Sequence, residues 1–168
     1  VYHLPSLKEE TIVQVENLDC LLAAENLLKE GYYPAVLNLA SRQNPGGGVQ
    51  TGAGAQEENL FRRTNLFQSL FQFVPYAEKF GVPKSRFQYP LDRNYGGIYT
   101  PDATVFRGTE QMGYPLLVNP FQMSFIAVAG INRPTLASPE SIAPELVEPV
   151  KNKMRTIFRI GLLHNHDS

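Results

Sequence analysis

Hydrophobic and polar residues alternate along the chain in patterns that predict short strands and amphipathic helices. The β-branched run 11–15 (Thr-Ile-Val-Gln-Val) predicts a strand, and residues 20–29 predict a helix. Asp19 is a suitable N-cap for this helix, and Gly31 stands just past its end, where glycine commonly terminates helices. The apolar run 35–40 predicts a buried strand. Together these segments predict a strand–helix–strand unit with a right-handed crossover.

A glycine-rich loop and an acidic helix start follow this unit. Five glycines fall within residues 46–54, and residues 56–58 read Gln-Glu-Glu. Residues 57–71 predict a helix with an apolar face, and with Arg62 and Arg63 pointing outward. A strand, a glycine-rich loop and a helix start recur where proteins hold phosphate or sugar, and open α/β sheets bind ligands at the carboxyl ends of strands. The alternative is an ordinary ordered loop with acidic residues that complement the helix dipole.

The middle of the chain is harder to interpret, because prolines and glycines interrupt residues 74–112. Short strands are predicted at 98–100 and 104–106. Five tyrosines and phenylalanines lie between Tyr76 and Tyr95. Two interpretations remain open for them, namely a long connection packed by its own aromatic side chains and an aromatic wall for a nucleobase.

The last third of the sequence predicts one more strand and one more helix. Residues 124–129 predict a strand, and the loop 130–134 follows at its carboxyl end. Pro149 suits the first turn of a helix that runs to Leu163. Five apolar residues at helical spacing are predicted to be core: Val147, Val150, Met154, Ile157 and Phe158. The polar residues 164–167 predict a helix-to-strand turn rather than a metal site, because two histidines lack a third credible ligand.

Composition narrows the class of protein. The length of 168 residues suits a single domain. Fifteen basic and sixteen acidic residues argue against duplex nucleic acid as the partner, and no apolar stretch is long enough to span a membrane. The single cysteine, Cys20, cannot form an internal disulfide, which fits a reducing compartment. Its apolar neighbours predict a small buried hydrophobe rather than a nucleophile. We therefore expect a cytoplasmic protein, with the nucleus as the alternative in a eukaryote.

The triplet Gly46-Gly47-Gly48, seven further residues, and Gln56-Glu57-Glu58 resemble the GGG-x(6–8)-QEE signature of poly(ADP-ribose) glycohydrolases. The flanking residues 36–41 and 58–63 resemble the bacterial-type branch of that family. The resemblance implies an α/β fold, a three-layer α/β/α macrodomain-like sandwich with a mixed central sheet, as one domain over residues 1–168. It also implies hydrolysis of the ribose–ribose O-glycosidic bonds of poly(ADP-ribose), with no metal and no cofactor. The expected partners are poly(ADP-ribose) or ADP-ribose, with ADP-ribosylated proteins as substrate carriers.

The resemblance also assigns roles to residues. Glu58 matches the catalytic acid that protonates the departing ribose oxygen, and Glu57 would orient a ribose hydroxyl. The glycine triplet 46–48 would bring main-chain N–H groups to the distal ribose and the pyrophosphate. Further candidates for substrate contact are Gln56, Asn38 and Asn44, together with Asp19, which resembles the acidic residue that reads adenine in related macrodomains. Adjacent helical residues project in different directions, so the two glutamates should have different roles.

Family members continue past the turn at 164–167 with a further strand and a second glycine-rich loop, neither of which the sequence contains. We therefore expect a truncated domain whose sheet lacks its C-terminal strand or strands, which favours a partner chain or a swapped element. Two other functions remain open. One is a macrodomain that binds ADP-ribose without cleaving it, and the other is an unrelated sugar-nucleotide hydrolase that uses the same loop.

Overall fold

The computed structural model describes residues 11–168, which form a mixed α/β structure. Its α-helices and strands are α1 Cys20–Glu30, β1 Ala35–Leu39, α2 Gln56–Arg63, α3 Phe67–Leu70, β2 Gly97–Arg107, β3 Leu116–Val128, β4 Leu136–Ser138, β5 Ser141–Ile142 and α4 Pro144–Leu163. Short 3₁₀ helices lie at Val49–Thr51, Phe71–Phe73, Ala77–Phe80 and Glu110–Met112. None of the helices within these residues has the length and hydropathy needed to cross a membrane.

The main sheet has the order β1–β3–β2 and is mixed. Strand β1 runs parallel to β3, with Ala35 opposite Ser124 and Leu39 opposite Val128, whereas β2 runs antiparallel to β3. Strands β4 and β5 form a separate antiparallel pair. Because β1 and β3 are parallel, the glycine-rich loop and the loop 130–134 follow their carboxyl ends at the same edge of the sheet. The prediction that each loop follows the carboxyl end of a strand is confirmed, and the parallel pairing adds that the two ends lie at one edge.

The hydrophobic core lies between the sheet and the helices α1 and α2. Leu21, Leu60 and Phe125 are among its fully buried members. Helix α1 is bounded as predicted, because the Asp19 side chain accepts hydrogen bonds from the N–H groups of its first turn and Gly31 adopts φ +93° after its last. Cys20 is half-buried against this core. Burial raises the pKa of its thiol, which disfavours the nucleophilic thiolate.

The predicted strand at 11–15 is wrong. These residues have no regular secondary structure, and Val13 and Val15 are 83% and 96% exposed. A β-branched run forms a strand only where a neighbouring strand pairs with it and buries one face, and here none does within residues 11–168. The predicted strand–helix–strand unit therefore does not form from this segment. The parallel pair is β1 and β3, which the chain joins through α2, α3 and the antiparallel β2.

The predicted helix over 57–71 is interrupted after Arg63. Thr64 is extended, with φ −135° and ψ 167°, and forms an isolated bridge to Val105 of β2. The next residue, Asn65, exchanges hydrogen bonds with Thr104 through its own N–H and its side-chain oxygen. These contacts with β2 replace the helical hydrogen bonds. The two short strands predicted at 98–100 and 104–106 are instead one strand, β2, with an irregularity between Thr100 and Ala103.

Helix α4 begins earlier than predicted and buries a different face. Pro144 occupies its first turn, and Pro149 lies inside the helix. Two of the predicted core residues, Met154 and Phe158, are 52% and 68% exposed, while Lys153 is only 6% exposed. The other three, Val147, Val150 and Ile157, are half-buried. The apolar residues of this helix cover more than one face, so their spacing alone could not select the face that packs on the sheet.

A turn follows α4 at residues 164–165, in agreement with the first part of the prediction of a helix-to-strand turn over 164–167. Both ring nitrogens of His166 bond to protein groups, Nδ1 with the Tyr33 carbonyl at 3.0 Å and Nε2 with the Tyr99 hydroxyl at 2.9 Å. Asp167 Oδ1 accepts a hydrogen bond of 2.7 Å from the Tyr33 N–H. The turn is therefore fastened to the residues that lead into β1.

Candidate active site

The glycine-rich loop folds tightly against helix α2. Gly46 and Gly47 have φ values of +78° and +53°, a region that favours glycine. The Gly47 N–H donates to the Asn44 carbonyl at 3.1 Å, which closes the first turn of the loop. A Cβ atom at position 46 would lie 2.6 Å from the ring of Phe61, so the backbone approaches α2 too closely for any other residue.

Glu57 holds the first part of the connection between β1 and α2, up to the first glycine. Its carboxylate accepts the N–H of Ser41 at 2.7 Å on one oxygen and the N–H of Gly46 at 3.0 Å on the other. The side-chain amide of Asn38 approaches the second oxygen at 3.4 Å. Glu57 is 3% exposed and Asn38 is fully buried. The first of the two glutamates therefore fixes the path of the loop from inside the protein.

The surroundings of Glu57 shift its titration and that of a neighbour. Burial raises the pKa of Glu57, although the N–H donors of Ser41 and Gly46 oppose this shift and the charge of Glu58 adds to it. Burial, together with the charge of Glu57, also raises the pKa of Tyr89. The Tyr89 hydroxyl is buried and has no hydrogen-bond partner among residues 11–168. Sequence reasoning did not single out Tyr89, since no local spacing relates it to Glu57.

Glu58 has different contacts. Its Oε1 accepts the Gly48 N–H at 2.8 Å, and no hydrogen bond from residues 11–168 reaches its Oε2. A Cβ atom at Gly47 would collide with Glu58 Oε1 and would lie 3.3 Å from Glu57 Oε2. Both carboxylates therefore border the backbone at Gly47. The two adjacent glutamates are held differently, with one bound through both oxygens and the other through a single oxygen.

The three glycines 46–48 direct their N–H groups to protein acceptors. Gly46 donates to Glu57, Gly47 to the Asn44 carbonyl and Gly48 to Glu58. Their contact with a ribose or a pyrophosphate stays a prediction. Asn44 is exposed, and its side chain makes no hydrogen bond within residues 11–168.

Gln56 is bonded to the edge of the sheet. Its side-chain amide donates to the Leu37 carbonyl at 2.6 Å and accepts the Leu39 N–H at 2.8 Å. The side chain thereby takes the place that a neighbouring strand would occupy beside β1. For Gln56 to contact substrate, as predicted, its side chain would have to give up one or both of these hydrogen bonds.

Asp19 lies at the other end of α2 from the glutamates. Its Oδ1 accepts the N–H groups of Leu21 and Leu22, and its Oδ2 forms an ion pair of 2.7 Å with Arg63. Arg63 is 2% exposed, so the prediction that it points outward is wrong. A buried guanidinium needs a counter-charge, and Asp19 supplies it. Burial acts to raise the pKa of Asp19, but Arg63 and the two N–H donors lower it on balance.

Four of the five aromatic residues from Tyr76 to Tyr95 fall into two groups. Phe80 packs on Phe71 and on Tyr76, with ring centroids 5.0 Å and 6.0 Å apart, which fits a connection packed by its own side chains. Phe87 and Tyr89 instead line a pocket of about 700 Å³. The interpretation as a nucleobase wall therefore remains open for this second group.

Among residues 11–168, no group of three or more histidine, cysteine, aspartate or glutamate side chains is placed to hold a metal ion. The chemistry that the arrangement offers is that of carboxyl groups. One buried carboxylate organises the loop, and a second beside it keeps one oxygen available for proton transfer.

The chain is also similar to proteins of a known family. Residues 2–108, more than half of the chain, match the model of the catalytic domain of microbial-type PARG, where PARG stands for poly(ADP-ribose) glycohydrolase. The chain belongs to this family. No curated protein shows significant similarity to it.

Solved bacterial PARG structures share the fold. The enzyme from Thermomonospora curvata bound to the inhibitor ADP-HPD is 29% identical with a TM-score of 0.65, and the match covers 88% of this chain and 52% of that one. A second structure from Thermomonospora curvata is 25% identical with a TM-score of 0.67, covering 97% and 57%. The Deinococcus radiodurans enzyme in complex with ADP-ribose is 27% identical with a TM-score of 0.61, covering 88% and 57%. The chain therefore spans a little over half the length of these structures.

Proposed function

We propose that this PARG-family chain hydrolyses the ribose–ribose O-glycosidic bonds of poly(ADP-ribose) with Glu58 as the general acid, releasing ADP-ribose. The observation that carries the proposal is the unequal binding of the two glutamates. Glu57 is bound through both oxygens to the loop, whereas Glu58 is held by the Gly48 N–H alone. Similarity to a bacterial PARG solved with ADP-ribose supports the choice of ligand.

The chemistry follows from a single carboxyl group that serves as acid and then as base. Protonated Glu58 donates its proton to the oxygen of the departing ribose while the bond from that oxygen to the anomeric carbon breaks, leaving an oxocarbenium-like sugar. The Gly48 N–H stabilises the carboxylate that remains. This carboxylate then takes a proton from the water that attacks the anomeric carbon. The water molecule therefore gives its proton to Glu58 and its hydroxyl group to the anomeric carbon, and no metal or cofactor takes part.

The other predicted site residues would position the substrate. Glu57 would orient a ribose hydroxyl, and the bend at Gly47 would let the sugar approach both carboxylates without a side chain between them. ADP-ribose chains on modified proteins are the natural form of such a substrate. We also infer that residues 1–168 belong to one macrodomain-like domain with a three-layer α/β/α architecture.

The test compares wild type with Glu58→Gln, which keeps the shape of the side chain and removes its acid. We expect release of ADP-ribose from poly(ADP-ribose) to fall at least about 100-fold, the usual contribution of a general acid, while affinity for ADP-ribose stays unchanged. Glu78→Gln, at an exposed position in a 3₁₀ helix, is the matched control and should keep full activity.

Equal activity in wild type and Glu58→Gln would contradict the role of Glu58. If neither protein releases ADP-ribose and both bind it, the chain is an ADP-ribose-binding module. Hydrolysis of simple sugar nucleotides without hydrolysis of poly(ADP-ribose) would instead indicate a sugar-nucleotide hydrolase.

A further inference from the structure

The pocket that Phe87 and Tyr89 line lies beside the glycine-rich loop, at the same edge of the sheet. It has a volume of about 700 Å³ and is lined by residues of the segment 87–99 together with Arg42 and Phe73. The Leu91 N–H donates to the Arg42 carbonyl at 2.9 Å, which ties this segment to the chain just before the glycines. Gly97 pairs with Val128, the last residue of β3. The pocket therefore neighbours the carboxyl ends of both parallel strands.

Lys153 is buried behind one wall of this pocket. It is 6% exposed, and its Nζ has no hydrogen-bond partner among residues 11–168. Helix α4 packs Thr156 and Ile160 against Gly97, since a Cβ atom there would lie 3.1 Å and 2.8 Å from their side chains. Lys153 precedes Thr156 by three positions and therefore lies on the same face, one turn nearer the N-terminus of the helix. The wall at Gly97 thus has Lys153 beside it.

A second cationic group of the pocket is also unsatisfied. The Nε of Arg42 is buried without a hydrogen-bond partner among residues 11–168. Lys153 interacts electrostatically with two charged groups, Arg42 and Asp92. Asp92 is nevertheless too far from Lys153 to form an ion pair with it among residues 11–168. The Asp92 carboxylate instead accepts the N–H groups of Asn94 and Tyr95 at 2.9 Å and 2.6 Å.

These charges favour an anionic ligand. Arg42 and Arg93 line the pocket, Lys153 adds a third positive charge, and Asp92 is the single acidic residue in the lining. Buried cationic donors without partners lower the stability of a fold, so a group that satisfies them binds with a corresponding gain. A phosphate group carries the charge and the several acceptor oxygens that arginine and lysine recognise.

We propose that Arg42, Arg93 and Lys153 form a phosphate-binding subsite, and that it takes a phosphate group of the poly(ADP-ribose) unit that leaves when the glycosidic bond at Glu58 is cut. The assignment of this ligand rests on the proposed function. The pocket is within the size range of sites that hold a nucleotide unit. Phe87, which is 63% exposed, and Phe73 also line the pocket and would be the aromatic contacts of the adenine of the same unit.

The test uses Lys153→Met, which keeps most of the apolar stem and removes the charge, with Lys151→Met as the matched control at an exposed position of the same helix. Binding is measured by fluorescence anisotropy with labelled ADP-ribose and with a short labelled poly(ADP-ribose) oligomer, in proteins that also carry Glu58→Gln. We expect Lys153→Met to weaken oligomer binding at least about tenfold, as for a lost charge-assisted hydrogen bond, and to leave ADP-ribose binding unchanged. Lys151→Met should change neither affinity.

Two results would overturn the assignment of the ligand. Unchanged oligomer affinity in Lys153→Met would show that the polymer does not use this pocket. An equal loss for ADP-ribose and for the oligomer would place the phosphate contact in the terminal unit rather than in the leaving one.

A separate measurement tests the pocket without reference to hydrolysis. Inorganic pyrophosphate should raise the melting temperature of the wild type and of Lys151→Met but not that of Lys153→Met, and ligand-free Lys153→Met should melt above the wild type because an unpaired buried charge is gone. Equal pyrophosphate shifts in wild type and Lys153→Met would disprove the subsite. If the proposed function is wrong but the subsite exists, the wild type will release no ADP-ribose, yet inorganic pyrophosphate will still raise its melting temperature.

Discussion

At the scale of single residues, Asp19 does two structural jobs with one carboxylate. One oxygen caps the first turn of α1, and the other pairs with Arg63, the last residue of α2. Arg63 is almost completely buried, so its charge depends on this partner. Asp19 therefore joins the two helices on which the core is built, and this role needs no ligand.

We predict that Asp19→Ala lowers the free energy of unfolding by about 2–4 kcal/mol. The loss of an N-cap contributes about 1 kcal/mol, and leaving a buried cation unpaired contributes the remainder. Urea unfolding measures the change. Glu25→Ala is the control, because Glu25 pairs with the exposed Lys29 and its loss should change stability by less than about 1 kcal/mol. Equal losses in the two variants would contradict the importance of the buried pair.

At the scale of elements, the site depends on how closely the glycine-rich loop approaches the start of α2. The loop donates main-chain N–H groups to both glutamates, and at Gly47 its backbone passes directly beside them. A side chain at that point would displace the carboxylate that we propose as the acid. The requirement for glycine there is steric as well as conformational.

Gly47→Ala should therefore reduce release of ADP-ribose at least about tenfold, because the new methyl group collides with Glu58 and the residue must also adopt positive φ, at a cost of about 1–2 kcal/mol. Gly54→Ala in the same loop is the control. Position 54 has no positive φ and open space around the added methyl group, so its activity and melting temperature should stay at wild-type values. Full activity in Gly47→Ala would show that the observed loop is not the active form.

Elements with strong local signals were predictable from the sequence, and elements defined by distant partners were not. Helix α1 carries its own cap and stop, so its bounds were predicted closely. The break after Arg63 depends on Thr64 meeting Val105, and no pattern within the segment reveals that partner. The prediction of a strand at 11–15 failed for the opposite reason, since this β-branched run has the composition of a strand and, within residues 11–168, no neighbour that buries it.

The same distinction applies to the site. The spacing of Gly46–Gly48 and Gln56–Glu58 predicted that glycines and carboxylates would meet, but not that Glu57 would bind Ser41 or that Gln56 would occupy the edge of β1. Lys153 was overlooked because lysine is seldom buried, so pattern analysis assigns it to the surface. Only the packing of α4 on Gly97 places it beside a pocket.

At the scale of the whole molecule, a nearly neutral chain separates its charges along one edge of the sheet. The formal net charge is −1, yet Glu57 and Glu58 adjoin the glycine-rich loop. Arg42 and Arg93 line the neighbouring pocket, and Lys153 is buried behind its wall at Gly97. An anionic polymer with ribose at its cleavage point would meet the carboxyl groups with its sugar and the cations with its phosphates. The near-neutral total is therefore compatible with an anionic substrate, because the distribution of charge rather than its sum decides local binding.

The half-buried carboxyl group of Asp19 and the buried one of Glu57 should affect stability in opposite directions as the pH changes. The pKa of Asp19 is lowered on folding, so its contribution to stability is present above its ordinary pKa of 3.8 and is lost as the pH falls through the folded value. The pKa of Glu57 is raised, so its contribution is full below its ordinary pKa of 4.5 and is lost as the pH rises through the folded value.

Urea unfolding of wild type, Asp19→Asn and Glu57→Gln, measured at pH values below and above these two pKa values, separates the contributions of the two carboxyl groups. Relative to the wild type, Asp19→Asn should lose less stability as the pH falls, and Glu57→Gln should lose less as the pH rises. The amide in Glu57→Gln also faces the N–H donors of Ser41 and Gly46 with a cost that does not depend on pH, so the slope alone is diagnostic, and parallel curves would contradict the two shifts.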